Sequence, residues 1–131
     1  MYNDVVREHF NNPRNTGPLP DANGEGQTGD ANSGDIVRIF IKVIADHIAD
    51  IRFQAMGCGA AIACSSMLTE MAKGRLLKEA FTITDTDVAQ ALGGLPDTKL
   101  RCSNLAAQAL HLAIEDYRSH YIENHRQGTS K

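Results

Sequence analysis

The sequence predicts an α+β fold: a small antiparallel sheet of about three strands, packed on one face by helices. Three observations carry this. Between Ile36 and Ala45, Val37, Ile39, Ile41 and Val43 fall on one side and Arg38 and Lys42 on the other, the alternation of a half-buried strand. After a turn expected at Asp46-His47, Ile51, Phe53 and Ala55 repeat the pattern against Arg52 and Gln54, so the two runs form a hairpin. On both sides of the hairpin the apolar period becomes helical, which supplies cover for its apolar face.

In chain order, Tyr2 to Phe10 places Val5, Val6, His9 and Phe10 at helical spacing, and Asn11-Asn12-Pro13-Arg14-Asn15 ends that helix. Gly17 to Gly34 is rich in Gly, Pro, Asn and Asp and reads as a mobile surface loop. Ala60 to Lys73 is helical, with Ala60, Ala61, Cys64, Met67, Leu68 and Met71 on one stripe and Gly74 as its stop. A shorter helix spans Asp85 to Leu92 and ends at Gly93-Gly94. After the loop Leu95-Pro96-Asp97-Thr98-Lys99, Ser103 is the expected N-cap of a long helix presenting Leu105, Ala106, Ala109, Leu110, Ala113 and Tyr117 on one face. Residues 122–131 turn polar and are expected to fray.

With 131 residues, the chain has the size of one domain spanning 1–131. It contains no apolar run near the length of a membrane span and no basic-then-apolar leader, so the expectation is a cytoplasmic protein with no membrane partner. Nucleic acid is excluded as a partner: the net charge is -3, Lys and Arg are scattered, and four Phe, three Tyr and no Trp leave little to stack bases. Three cysteines, an odd number, suit thiolate chemistry or metal ligation better than a disulfide framework.

Cys58 lies between Gly57 and Gly59 at the start of a predicted helix, where unpaired N–H groups and the dipole favour a thiolate and the glycines permit close approach. Cys102 lies just before the expected cap of the last helix. Spacing alone leaves open whether the two share a site or are separately buried thiols, since no compact Cys-x-x-Cys knuckle is present. Cys64, six residues beyond Cys58, is turned about 120° away onto the apolar stripe and reads as core. Asp35, at the mouth of the first predicted strand, could serve as a metal ligand or cap a turn. His9, His47, His111, His120 and His125 are dispersed and read as surface or core residues.

In order along the chain, Tyr2, His9-Phe10-Asn11-Asn12-Pro13-Arg14-Asn15-Thr16-Gly17, Gly34-Asp35, Gly57-Cys58-Gly59-Ala60-Ala61-Ile62-Ala63-Cys64-Ser65-Ser66, Leu95-Pro96, Lys99, Cys102-Ser103 and Asp116-Tyr117 resemble the scaffold proteins of iron-sulfur cluster assembly, the family of IscU and of the N-terminal domain of NifU. The resemblance implies a SufE/NifU-like fold and a scaffold or carrier that is not an enzyme. Such a protein takes sulfur from a cysteine desulfurase, builds a [2Fe-2S] cluster and passes it to apo-proteins. It implies Asp35, Cys58 and Cys102 as metal and cluster ligands, with Fe2+ or Zn2+ held in the cluster-free form. Cys102 would be the persulfide acceptor, assisted by Lys99, and Tyr2 would contribute to a homodimer. Frataxin-like and ferredoxin partners belong to the same implied set.

Three departures qualify the match. Ser33 stands where the family has its first cysteine, and a hydroxyl is a poor ligand for soft iron-sulfur units, leaving Ser33 only a secondary candidate. Arg101 stands where many members have histidine; it cannot ligate, though its charge could steady an anionic cluster or persulfide. Asp97-Thr98 replaces the family's Pro-Val, which speaks against an Hsp70 chaperone as partner. Ser33 therefore raises an alternative: a relative that binds the desulfurase or zinc without holding a stable cluster.

Overall fold

The hairpin predicted by the alternation is the centre of the fold in a computed structural model that describes residues 3–96 and 99–129, the side chains of 121–129 excepted. Tyr2, Asp97 and Thr98 lie outside the described residues. The elements are α1 (Asp4–Asn11), β1 (Gly24–Gly29), β2 (Ile36–Ile44), β3 (His47–Met56), α2 (Gly59–Ala72), α3 (Leu77–Ala80), α4 (Asp85–Ala91) and α5 (Leu100–Thr129). β2 and β3 run antiparallel from Ile36 opposite Met56 to Ile44 opposite His47, with a register shift at Lys42/Val43. Their two-residue turn is Ala45-Asp46, both left-handed at φ 52° and 62°, one residue earlier than expected because His47 already pairs in β3.

The third strand lies inside the segment expected to be a mobile loop. β1 has the sequence Gly-Glu-Gly-Gln-Thr-Gly and pairs with the far side of β2, giving the order β1-β2-β3. It has no apolar alternation because its inward positions are glycines and α5 lies directly on them. A Cβ on Gly24 would come 2.6 Å from the Ala113 carbonyl oxygen, and one on Gly26 would sit 2.5 Å from Ala113 N and overlap the Ala109 carbonyl. Thr28 donates its hydroxyl hydrogen bond to Leu105 O at 2.8 Å, and Glu25 N donates to the Asp116 carboxylate at 2.9 Å. Close backbone approach here takes the place of side-chain packing.

Two helices cover the inner face of the sheet, α5 over β1 and β2 and α2 against β3. Val37, Ile39, Ile41, Ile48, Ile51 and Phe53 meet Leu68, Leu110 and Ile114 in one core. α2 is buried almost all round and is correspondingly built from small residues, with Ser65, Ser66 and Thr69 each hydrogen-bonded inside the protein. α1 docks on α2 through His9, whose Nδ1 lies 2.7 Å from Ser66 Oγ while that oxygen accepts from Arg14 N at 2.9 Å. Burial first, and then the Arg14 charge, lower the pKa of His9.

α5 starts earlier than the sequence suggests. Ser103 is not its N-cap: it lies in the first turn, and its hydroxyl donates back to Leu100 O at 2.7 Å. The helix continues past Tyr121 to Thr129, where fraying was expected from composition; Glu, Arg and Gln there are adequate helix formers. Among the described residues no helix is long and apolar enough to cross a membrane.

Candidate functional site

At one end of the sheet, three elements converge. The β1–β2 connection is a tight loop in which Gly34 N donates to Asp30 O at 2.7 Å and Asp30 N donates to Asp35 O at 2.9 Å. Asp35 thus enters β2 on the inward side of the pleat, next but one to buried Val37, and is itself only 4% exposed. Its burial is stabilised by a short chain of donors. Cys58 N, at the N-cap of α2, donates to Asp35 Oδ1 at 3.0 Å. Gly57 makes this possible: its φ is +131°, and a Cβ there would sit 2.7 Å from the Asp35 carboxyl carbon and overlap an oxygen.

The sulfur atoms complete the cluster. Cys58 Sγ lies 3.6 Å and Cys102 Sγ 3.7 Å from Asp35 Oδ2, and the two sulfurs are 3.5 Å apart. One ligand atom from each of Asp35, Cys58 and Cys102 lies within 4.8 Å of the other two. The residues that spacing alone could not connect are therefore neighbours. Cys58 is partly open to solvent, whereas Cys102, in the first turn of α5, is 2% exposed. Burial first, then the Cys58 thiol and the Asp35 carboxylate, push the Cys102 thiol well above its ordinary pKa. These surroundings disfavour the Cys102 thiolate, whereas ligation to a divalent cation deprotonates a thiol outright.

Cys64 is separate, fully buried among apolar side chains, and burial pushes its thiol up to about 12. Ser33 is exposed and its Oγ accepts from Asp35 N at 3.2 Å, so the hydroxyl shapes the loop that presents Asp35. Lys99 is half-exposed at the approach to α5, its backbone N–H bound to Pro96 O at 2.7 Å, and forms no ion pair among the described residues.

Sequence reasoning missed one functional neighbour, Asp30. Arg101 Nη1 lies 2.8 Å from Asp30 Oδ2 and ties the loop carrying Asp35 to the helix carrying Cys102. The Asn32 N–H first, and Arg101 with it, hold the Asp30 carboxyl below its ordinary range. The signal was the acidic residue opening a Gly-Asp-x-x-x-Gly turn, which turn chemistry alone would satisfy. On the other side, Phe10 of α1 lies over Gly59, where a Cβ would stand 3.1 Å from its ring.

Two thiols and one carboxylate form a donor set suited to Fe2+ or Zn2+ with a further position left for an incoming ligand. A [2Fe-2S] unit bound as cargo needs four ligands, one more than these residues provide.

Residues 1–124 match the family model described as the NifU-like N-terminal domain. The chain is 57% identical over 117 residues to an iron-sulfur cluster assembly scaffold protein IscU of Archaeoglobus fulgidus, covering 89% of this chain and 76% of that one. It is 51% identical over 118 residues to the protein of the same description from Aquifex aeolicus, covering 88% and 75%. In fold it is similar to the N-terminal NifU-like protein of Brucella abortus, with a TM-score of 0.75 at 15% identity over 89% of this chain and 94% of that one.

Proposed function

This chain belongs to the NifU-like N-terminal domain family, and from that premise we propose that it is a scaffold for iron-sulfur cluster assembly, with Asp35, Cys58 and Cys102 as the residues that hold iron and the growing cluster. The observation that supports this reading is the convergence of their ligand atoms within 4.8 Å, from a strand entrance and two helix starts. The cargo is a [2Fe-2S] cluster, and Fe2+ or Zn2+ occupies the same donors before it forms. The protein carries its product to apo-protein recipients and turns over no small molecule. Cys102 receives sulfur from a cysteine desulfurase, with Lys99 nearby.

Cys102 is buried, and the Asp30–Arg101 contact ties the loop of Asp35 to the first turn of α5 next to it, so in this reading sulfur delivery is helped when that contact opens. Such a solvent-screened ion pair holds the loop and helix together only weakly, and partner binding readily displaces it. The fourth cluster ligand comes from outside the set, from a free thiol, a partner or a second copy of the chain. Three free cysteines fit a reducing compartment, and the cytoplasm is the proposed one. The relatives named as scaffolds do not favour the alternative of a chain that binds desulfurase or zinc without holding a cluster.

Anaerobic incubation with ferrous iron, cysteine and a cysteine desulfurase should give visible sulfur-to-iron charge-transfer absorption, lost in Cys58→Ala and Cys102→Ala. Colourless protein carrying stoichiometric zinc after the same treatment would sink the scaffold reading. Ser33→Cys should raise cluster yield and lifetime if the missing thiol limits retention.

A further inference from the structure

The 3.5 Å separation of the Cys58 and Cys102 sulfurs suits shared ligation of an ion, and it also falls at the edge of the range in which two reacting atoms are poised. We propose that Cys58 is the resolving thiol of this site: it releases sulfide from a persulfide on Cys102 and forms a Cys58–Cys102 disulfide in the same step. The inference rests on the proposed role of Cys102 as sulfur acceptor.

The step balances without an added reductant. Cys58 Sγ attacks Cys102 Sγ, the inner sulfur of the persulfide; the bond from that sulfur to the outer sulfur breaks, and the outer sulfur leaves as sulfide. The outer sulfur gains two electrons, and the two cysteine sulfurs supply them in becoming a disulfide. The Cys58 proton passes to Asp35 Oδ2, which lies 3.6 Å from Cys58 Sγ and 3.7 Å from Cys102 Sγ, and from there to the departing sulfide. Closing the gap to disulfide length needs a relative movement of roughly 1.5 Å, within reach of two side chains at helix starts.

The product is unambiguous in this chain. Ser33 offers no competing thiol, and Cys64 is fully buried on the core side of α2. A disulfide at this position also removes both sulfurs from metal binding. The scaffold therefore returns to a metal-competent state only after reduction by an external dithiol.

The test uses the reduced, metal-free full chain with inorganic polysulfide as sulfur donor, removed by gel filtration before the measurement. A chemical donor keeps the outcome independent of any desulfurase, so failed enzymatic delivery and failed resolution are told apart. Released sulfide should equal persulfide lost, the intact mass should end two hydrogens below the reduced chain, and peptide mapping should find Cys58 linked to Cys102. In Cys58→Ser the extra sulfur should stay on Cys102, with sulfide release slower by about 100-fold or more. Asp35→Asn should form the same disulfide about tenfold to 100-fold more slowly. Equal release from Cys58→Ser, or a wild-type persulfide that persists without a cross-link, would overturn the proposal; an unchanged rate in Asp35→Asn removes the carboxylate from it.

Discussion

Cys64 and Cys102 are both withdrawn from solvent, at 0% and 2% exposure, yet their surroundings have little in common. Cys64 sits mid-helix among aliphatic side chains of the sheet and α2, where a thiol serves as a small apolar filler. Cys102 faces a carboxylate and a second thiol at the meeting point of three chain segments. Burial raises the pKa of both. What distinguishes them is company: only at the site end can a metal ion replace the protons and neutralise the neighbours together. Exposure alone would have ranked the two thiols alike.

The largest expected effect comes from disturbing the support of the site. Gly57→Ala combines a left-handed backbone with overlap on Asp35 and should cost about 3–5 kcal/mol while abolishing tight Co2+ binding followed by thiolate absorption. Gly26→Ala, against the α5 backbone, is its control: it should also destabilise, by about 2–3 kcal/mol, and retain Co2+ stoichiometry in the folded fraction. If both variants lose metal alike, the site is no more than a sensor of global stability.

Cys64→Ser is the intermediate case. It should lower the urea midpoint by the equivalent of about 2 kcal/mol through a hydroxyl placed in apolar surroundings, with metal affinity unchanged. The comparison can be sharpened by pH as well. Because burial favours the neutral thiol and moves ionisation of Cys64 to about 12, alkylation at pH 9 should reach Cys58 first and leave Cys64 unmodified until the chain unfolds.

The smallest effect on stability belongs to Arg101→Ala. Loss of its solvent-screened pairing with Asp30 should leave the urea midpoint nearly unchanged. Alkylation of Cys102 should nevertheless accelerate several-fold, and added salt should give the wild type part of the same gain. An unchanged alkylation rate would show that the clasp does not gate the site.

Much of this was legible from residues. The hairpin followed from alternation because β2 and β3 each bury one face, and the separation of Cys64 from Cys58 followed from helical geometry. β1 was not legible. Its pattern of glycines records the approach of a helix some eighty residues away, and no local period encodes that. The start of α5 was misplaced because Ser103 has capping chemistry but uses it inside the first turn. Asp35, Cys58 and Cys102 were identifiable as candidates, and a family resemblance joined them; their contact distances depended on the β-strand register and on the one backbone position, Gly57, that lets a carboxylate lie against a helix start.

The seam between β1 and α5 bears on how the protein comes into being. Thr28 reaches Leu105 and Asp35 reaches Cys102 across 77 and 67 residues, so these contacts can form only after α5 has been synthesised. As the chain leaves the ribosome, Asp35 and Cys58 emerge well before their third partner. Until α5 lands on the glycines of β1, a nascent chain offers a sheet with an uncovered face and no complete set of ligands. The order of synthesis itself thus keeps the three-residue cluster from forming until the domain is nearly whole.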